Sequence, residues 1–178
     1  MIHRSIYEAR PDVGAIVHHH TCATTAVACL EGGLRCLTQD SAAFFERVAY
    51  HDWEGLSDSY DECERIRRDL GPAPFHTLIM RNHGVITTGA TVAEAWVRFF
   101  YLERCCRIQV ATLGQPLSEP PEAVLRHARD QYEPRTDPGG GSKELSPSPF
   151  AHGQLEWPAL RRLAARLVKA GKISERPF

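Results

Sequence analysis

The sequence predicts an α/β domain, and three observations carry that reading. Short apolar runs of strand length, residues 13–17, 77–80 and 84–87, lie between longer segments with helical periodicity. Glycine and proline stand at the joins, at Gly32-Gly33, Gly71-Pro72, Gly89 and Gly114 with Pro116. A chain of 178 residues, 43% apolar and 24% charged, is long enough to bury one core of its own.

In chain order, residues 2–9 read as a helix with Ile2, Ile6 and Ala9 on one face, ended at Arg10-Pro11-Asp12. Residues 13–17 read as a buried strand running into His18-His19-His20. Residues 23–30 are a short helix closed by glycines, 34–37 a strand, and 42–50 either a strand or a helical turn. Residues 51–55 read as loop. A helix begins at Ser59 or Asp61 and runs to Leu70. Two short strands, 77–80 and 84–87, follow. Thr91 and Glu94 make a capping box that opens the longest helix, to about Leu113. Apolar residues cover most of its circumference, which predicts burial on more than one side. Pro120-Pro121 open a charged helix to Tyr132. The stretch 134–153 has the Pro, Gly and Ser content of a linker. A last amphipathic helix, 156–170, with Pro158 in its first turn, turns Trp157, Leu160, Leu163 and Leu167 toward this or a neighbouring subunit. The expected organisation is a domain over 1–133, a linker over 134–153, and a C-terminal helix and tail over 154–178.

Composition excludes several function classes. The formal net charge of −1 offers no nucleic-acid surface, and no apolar stretch has membrane-spanning length. The amino terminus lacks a signal-peptide pattern, so a cytoplasmic location is expected. Cys22, Cys29, Cys36, Cys63, Cys105 and Cys106 form no Cys-x-x-Cys pair. They read as reduced thiols packed as small apolar groups. Neither a P-loop, a dinucleotide-binding glycine motif nor a serine elbow is present.

The chemistry points to the histidines. Side chains alternate along a strand, so His18 and His20 share one face and His19 takes the other. Two imidazoles on one strand face can bind one transition metal, and a third from elsewhere leaves a coordination position open, as catalytic sites do. A single histidine is ordinarily a polar surface or core residue. His18 and His20 alone leave both readings open, and His83 adds weight to the metal. It follows an apolar strand and precedes Gly84, where space lets a side chain be aimed at a neighbour. Tyr50, His51, Asp52 and Trp53 form a second polar-aromatic group. They read as a substrate pocket lining or as a turn held by Asp52.

Together these motifs resemble the class II aldolase/adducin family, over residues 2–114. The resemblance rests on Ile-His-x-x-Ile-Tyr-x-Ala-Arg-Pro-Asp-Val (2–13), Val-His-x-His-Thr (17–21), Val-Ala-Tyr-His-Asp (48–52), Leu-Gly-Pro (70–72) and Arg-Asn-His-Gly-Val (81–85). Thr-Val-Ala-Glu-Ala-Trp (91–96) and Leu-Glu-Arg-Cys-Cys-Arg-Ile-Gln-Val (102–110) complete it. The adducin-like branch and its bacterial relatives are the nearest in pattern. The resemblance implies a three-layer α/β/α sandwich around a mostly antiparallel sheet, often a homo-tetramer. It implies a divalent metal, zinc foremost, on His18, His20 and His83. In catalytic members the metal holds the oxygens of a sugar phosphate and stabilises an enediolate before aldol cleavage.

Against that pattern, the family's catalytic glutamate, phosphate-binding residues and early strands would fall before Met1. A family active-site tyrosine falls at Gln39. An acid/base within the chain must then be another residue, with Tyr50 and His51 as the candidates. Two functions are therefore expected: a metal-dependent lyase-type enzyme acting on a small hydroxy-carbonyl or sugar-phosphate compound, or a non-catalytic adducin-like interaction domain.

Overall fold

The computed structural model describes residues 2–55, 60–72, 74–132, 153 and 156–174. Six helices and four strands follow in order: α1 Ile2–Ala9, β1 Ala15–His19, α2 Cys22–Ala28, β2 Val48–His51, α3 Tyr60–Leu70, β3 Thr77–Met80, β4 Gly84–Gly89, α4 Val92–Ala111, α5 Glu122–Tyr132 and α6 Glu156–Lys169. The strands form one sheet in the order β1-β4-β3-β2. β4 is antiparallel to both β1 and β3, and only β2 runs parallel to its neighbour β3. The sheet is thus mostly antiparallel, as expected.

Strand alternation builds the three layers. Every residue of β3 and β4 is buried, as in a sheet covered on both sides. Leu78, Met80 and Ile86 join Ile6 of α1 and Ile66 and Leu70 of α3 on one face. Ile79 and Val85 join Val27 and Ala28 of α2 and Leu102, Cys105 and Cys106 of α4 on the other. Each large aliphatic side chain buried in these layers contributes about 1.5–3 kcal/mol. All six cysteines are free, and Cys63, Cys105 and Cys106 are buried, in keeping with thiols used as apolar filling.

Caps and turns set the element ends. Thr91 accepts from the Glu94 N–H at 3.2 Å, and the Glu94 carboxylate reaches back to the Ala90 N–H at 2.7 Å, so the predicted capping box forms with its return arm one residue early. Arg10 closes α1. It is buried, paired to Asp12 through two bonds of 2.8 and 2.6 Å, and donates to the Phe75 carbonyl at 2.8 Å.

Three expectations are corrected, and one open alternative is resolved. Residues 34–37 form no strand, because side chains take their backbone donors: Leu34 N–H donates to the Tyr50 hydroxyl and Arg35 N–H to Gln109 Oε1. The ambiguous 42–50 region is a 3-10 turn, Asp40–Phe44, followed by β2. His51 belongs to that strand rather than to a loop, since its parallel pairing reaches Met80. Finally, among the described residues α4 buries one broad face, with Ala95, Val97, Leu102, Cys105 and Cys106 on it. Trp96 stacks on Phe100 at 5.7 Å, Phe100 stays 47% exposed, and Trp157 of α6 approaches Trp96 at 6.3 Å. No residue of α6 is itself buried. Of the expected linker 134–153, only Gly153 is among the described residues.

Candidate metal centre

The ends of β1, β2 and β3 and the start of β4 lie together at one end of the sheet. His18 is in β1, His20 follows it, and His83 sits in the turn between β3 and β4. Ile16 packs in the α1/α3 layer, so alternation carries His18 and His20 to that same face. His19 turns to the opposite face and stacks flat on Phe99 of α4 at 4.6 Å. This neighbouring ring packs the strand against α4 and leaves the pair on either side of it aimed the other way.

The β3–β4 turn brings His83 to that pair. Asn82 takes a left-handed conformation with φ 55°, which asparagine tolerates better than most residues. The Arg81 and Asn82 N–H groups donate to the carbonyls of His51 and Ala28 at 2.8 and 3.1 Å. Arg81 also donates to the Leu30 carbonyl at 2.6 Å and lies over the Tyr50 ring at 4.4 Å. Gly84 lets the rings close up. A Cβ there would lie 2.4 Å from His20 Cδ2 and 2.6 Å from the His19 carbonyl oxygen.

The three rings lie 4.6–5.1 Å apart by centroid, and one ligand nitrogen from each falls within 4.8 Å of the other two. His18 Nε2 and His20 Nε2 are 2.9 Å apart. Tetrahedral zinc with bonds of 2.0–2.1 Å separates its ligand nitrogens by about 3.3 Å, a spacing these distances bracket. Burial pushes the His18 imidazole down to about 4, with His20, His83 and His3 adding to the shift. His83 is lowered too, first by burial and then by His20. Neutral imidazoles carry the lone pair a metal needs, so donor type, spacing and protonation fit a divalent cation.

Tyr50 and His51 are adjacent in β2 and therefore point to opposite faces. Tyr50 enters the α2/α4 layer, where its hydroxyl accepts from Leu34 N–H at 3.1 Å beneath Gly33. His51 enters the α1/α3 layer and is 2% exposed. Its Nδ1 donates to Asp69 Oδ2 at 2.7 Å, and its Nε2 lies 3.8 Å from Glu62 Oε1. The polar-aromatic group expected from the sequence is thus divided by the sheet.

Sequence reasoning passed over three residues near the centre. His3, exposed on α1, brings its ring within 6.2 Å of the His18 ring. Glu62 and Asp69 flank His51. The signal for the last two was readable: residues seven apart on a helix lie about 20° apart around its axis, here on the side that buries Ile66 and Leu70.

Residues 1–110 match the Class II Aldolase and Adducin N-terminal domain. A Pseudomonas aeruginosa protein named for class 2 aldolases is 36% identical over 165 residues, covering 90% of this chain and 59% of its own. Rat alpha-adducin is 36% identical over 170 residues, 93% of this chain and 22% of its own. Among solved structures, an aldolase II superfamily protein from Pseudomonas syringae superposes with a TM-score of 0.74 at 33% identity, covering 96% of this chain and 62% of that one. The L-fuculose 1-phosphate aldolase from Glaciozyma antarctica gives 0.70 at 26% identity, covering 93% and 59%. The chain spans about three-fifths of the length of the Pseudomonas and Glaciozyma relatives.

Proposed function

The chain belongs to the class II aldolase and adducin family, and from that premise we propose that His18, His20 and His83 bind one divalent cation, zinc foremost, for lyase-type cleavage of a small hydroxy-carbonyl or sugar-phosphate compound. The single observation that carries this reading is the convergence of three imidazole nitrogens, from two separate segments, within 4.8 Å of one another. Likeness to an L-fuculose 1-phosphate aldolase supports the substrate class.

A divalent ion held there supplies Lewis-acid polarisation of a carbonyl or hydroxyl oxygen. The chain's own residues do the remainder. His18 and His83 stay unprotonated because burial disfavours their charged forms. His19 and Gly84 keep the ligand pair in register, one by stacking on Phe99 and the other by leaving room for His20. His3 stands at the exposed side of the centre, where it can hydrogen-bond a bound substrate. Of the two acid/base candidates, His51 shares the face of the centre, whereas the Tyr50 hydroxyl is engaged by Leu34 across the sheet.

The test is a panel of ketose 1-phosphates and unphosphorylated hydroxy-carbonyl compounds offered to the zinc-loaded and metal-stripped chain. Cleavage that appears only with metal supports the proposal. Tight metal binding with no cleavage of any member supports a second reading, favoured by the likeness to alpha-adducin: a domain that keeps the centre without turnover and serves in association. Either reading includes a homo-oligomer. The exposed Phe100 beside Trp96, and an α6 with no buried residue, offer aromatic surface for a second copy. Light scattering that gives a monomer mass at micromolar concentration counts against that part. Among the described residues no helix is long and apolar enough to cross a membrane.

A further inference from the structure

β1 ends at His19, whose backbone pairs with Val85, so the ladder stops one residue short of His20. His18 is held inside the strand by its pairing with Ile86, and His83 by the turn between β3 and β4. His20 has neither support, yet its ring sits 4.6 Å from the His83 ring with its Nε2 2.9 Å from His18 Nε2. Its position depends on what holds the residues on either side of it.

Helix α4 holds both. The His19 ring stacks on Phe99, and the Thr21 hydroxyl donates to Glu103 Oε2. Phe99 and Glu103 are four residues apart in α4 and therefore lie one above the other on one side of the helix. The two residues flanking His20 thus turn to α4 while His20 turns to the other ligands, the alternation of a strand carried past its end. Of the two grips, the one on Thr21 matters more to His20. The His19 backbone is already fixed by the ladder, whereas Thr21 lies outside it. A hydroxyl donating to a carboxylate is also a stronger bond than one between neutral groups. With its proton given to Glu103, the Thr21 oxygen accepts from the Thr24 hydroxyl at 2.8 Å and from the Thr24 N–H at 3.3 Å, which caps α2. One side chain joins the backbone leaving His20, the start of α2 and the middle of α4.

We infer that Glu103 is the positioning residue for the His20 arm of the three-histidine centre, holding Thr21 so that the His20 ring already stands where a divalent cation needs it. Fixing a binding group in its bound position raises affinity by removing the cost of ordering it. This rests on the reading of His18, His20 and His83 as metal ligands. It makes α4, which carries no ligand, a working part of the centre from the opposite side of the sheet.

Zinc affinity of the full chain by chelator competition, and the visible spectrum of the cobalt-substituted chain, test this in wild type, Glu103→Leu, Glu103→Gln and Thr21→Asp, with urea unfolding of the metal-free proteins alongside. Glu103→Leu removes the acceptor. It should bind zinc about tenfold more weakly and alter the cobalt bands, the low end of the loss when a group that orients a metal ligand is removed. Glu103→Gln keeps an acceptor oxygen and should recover most of both. Thr21→Asp keeps a cap on α2 but sets a carboxylate against Glu103, and should behave as Glu103→Leu does. Affinity within twofold of wild type and unchanged bands in Glu103→Leu, whatever its loss in urea, overturn the inference and leave Glu103 a packing residue. If Glu103→Leu does not fold, Thr21→Asp decides: a weaker site with altered bands supports the role, and an unchanged one overturns it. A wild type that binds no zinc overturns the metal reading, and this inference falls with it. A wild type that binds tightly beside an unaffected Glu103→Leu overturns this inference alone.

Discussion

The two faces of the sheet are written by alternate residues of the same strands, yet they do opposite work. Toward α1 and α3, the strand ends present His18, His20 and His51, and α3 answers with Glu62 and Asp69. Toward α2 and α4, the intervening residues present His19 and Tyr50, and both are packed: one stacks on Phe99, the other lies under Arg81 with its hydroxyl on Leu34. Residue type does not separate the faces, because imidazoles and carboxylates occur beside both. Convergence does. Among the described residues, three imidazoles share one point only where the end of β1 meets the β3–β4 turn, and the opposite face turns the same chemical groups into packing.

The sharpest way to break this comparison is to change adjacent histidines. His18→Ala or His83→Ala should abolish stoichiometric zinc binding, whereas His19→Ala should retain it and lose only stability. Metal content of tag-free protein after dialysis measures all three, and loss of zinc in His19→Ala would erase the distinction between faces. Next in size, Leu102→Ala on the α4 face should destabilise the fold by about 2–5 kcal/mol in urea while the folded fraction still binds zinc. Gly84→Ala couples fold and centre. Its Cβ would press on the His19 carbonyl and the His20 ring, so about 1–3 kcal/mol of stability should go together with weaker zinc binding.

Smaller effects sharpen the same contrast. His76, set edge-on against Phe44, is kept uncharged: burial, with Arg98 and Arg47 nearby, lowers it from 6.5 to about 3. Between those values the unfolded chain holds a proton that the folded chain refuses. Stability from this group is therefore full above pH 6.5 and falls as pH drops toward 3. His76→Gln should flatten the slope between pH 7 and 5 in urea unfolding. Last, Tyr50→Phe removes the acceptor for the Leu34 N–H and should lose about 0.5–1.5 kcal/mol with metal binding and metal-dependent cleavage unchanged. If cleavage disappears with the fold intact, Tyr50 is the acid/base after all.

Local pattern made much of this legible in the sequence. The period-two logic of β1 separates His18 and His20 from His19, the apolar runs mark β3 and β4, and Thr91 with Glu94 marks the start of α4. Pairing across long separations was not legible. Residues 34–37 have strand composition, but Tyr50 and Gln109, distant in sequence, take their backbone donors. His51 looked like a loop residue because its strand is defined by its partner β3. The position of His83 was suggested by its strand and glycine, while its meeting with β1 depends on the sheet order, in which β4 lies between β1 and β3. Glu62 and Asp69 were hidden for a related reason: a charged helix reads as solvated until the element against which it packs is known.

The most direct test of the central claim is zinc X-ray absorption on the metal-loaded chain. The account predicts a first shell of nitrogen and oxygen at 2.0–2.1 Å with the outer-shell scattering of three imidazoles, reduced in His83→Ala. A shell containing sulfur near 2.3 Å, which would point to the cysteines, or a wild-type spectrum unaffected by His83→Ala, would contradict it.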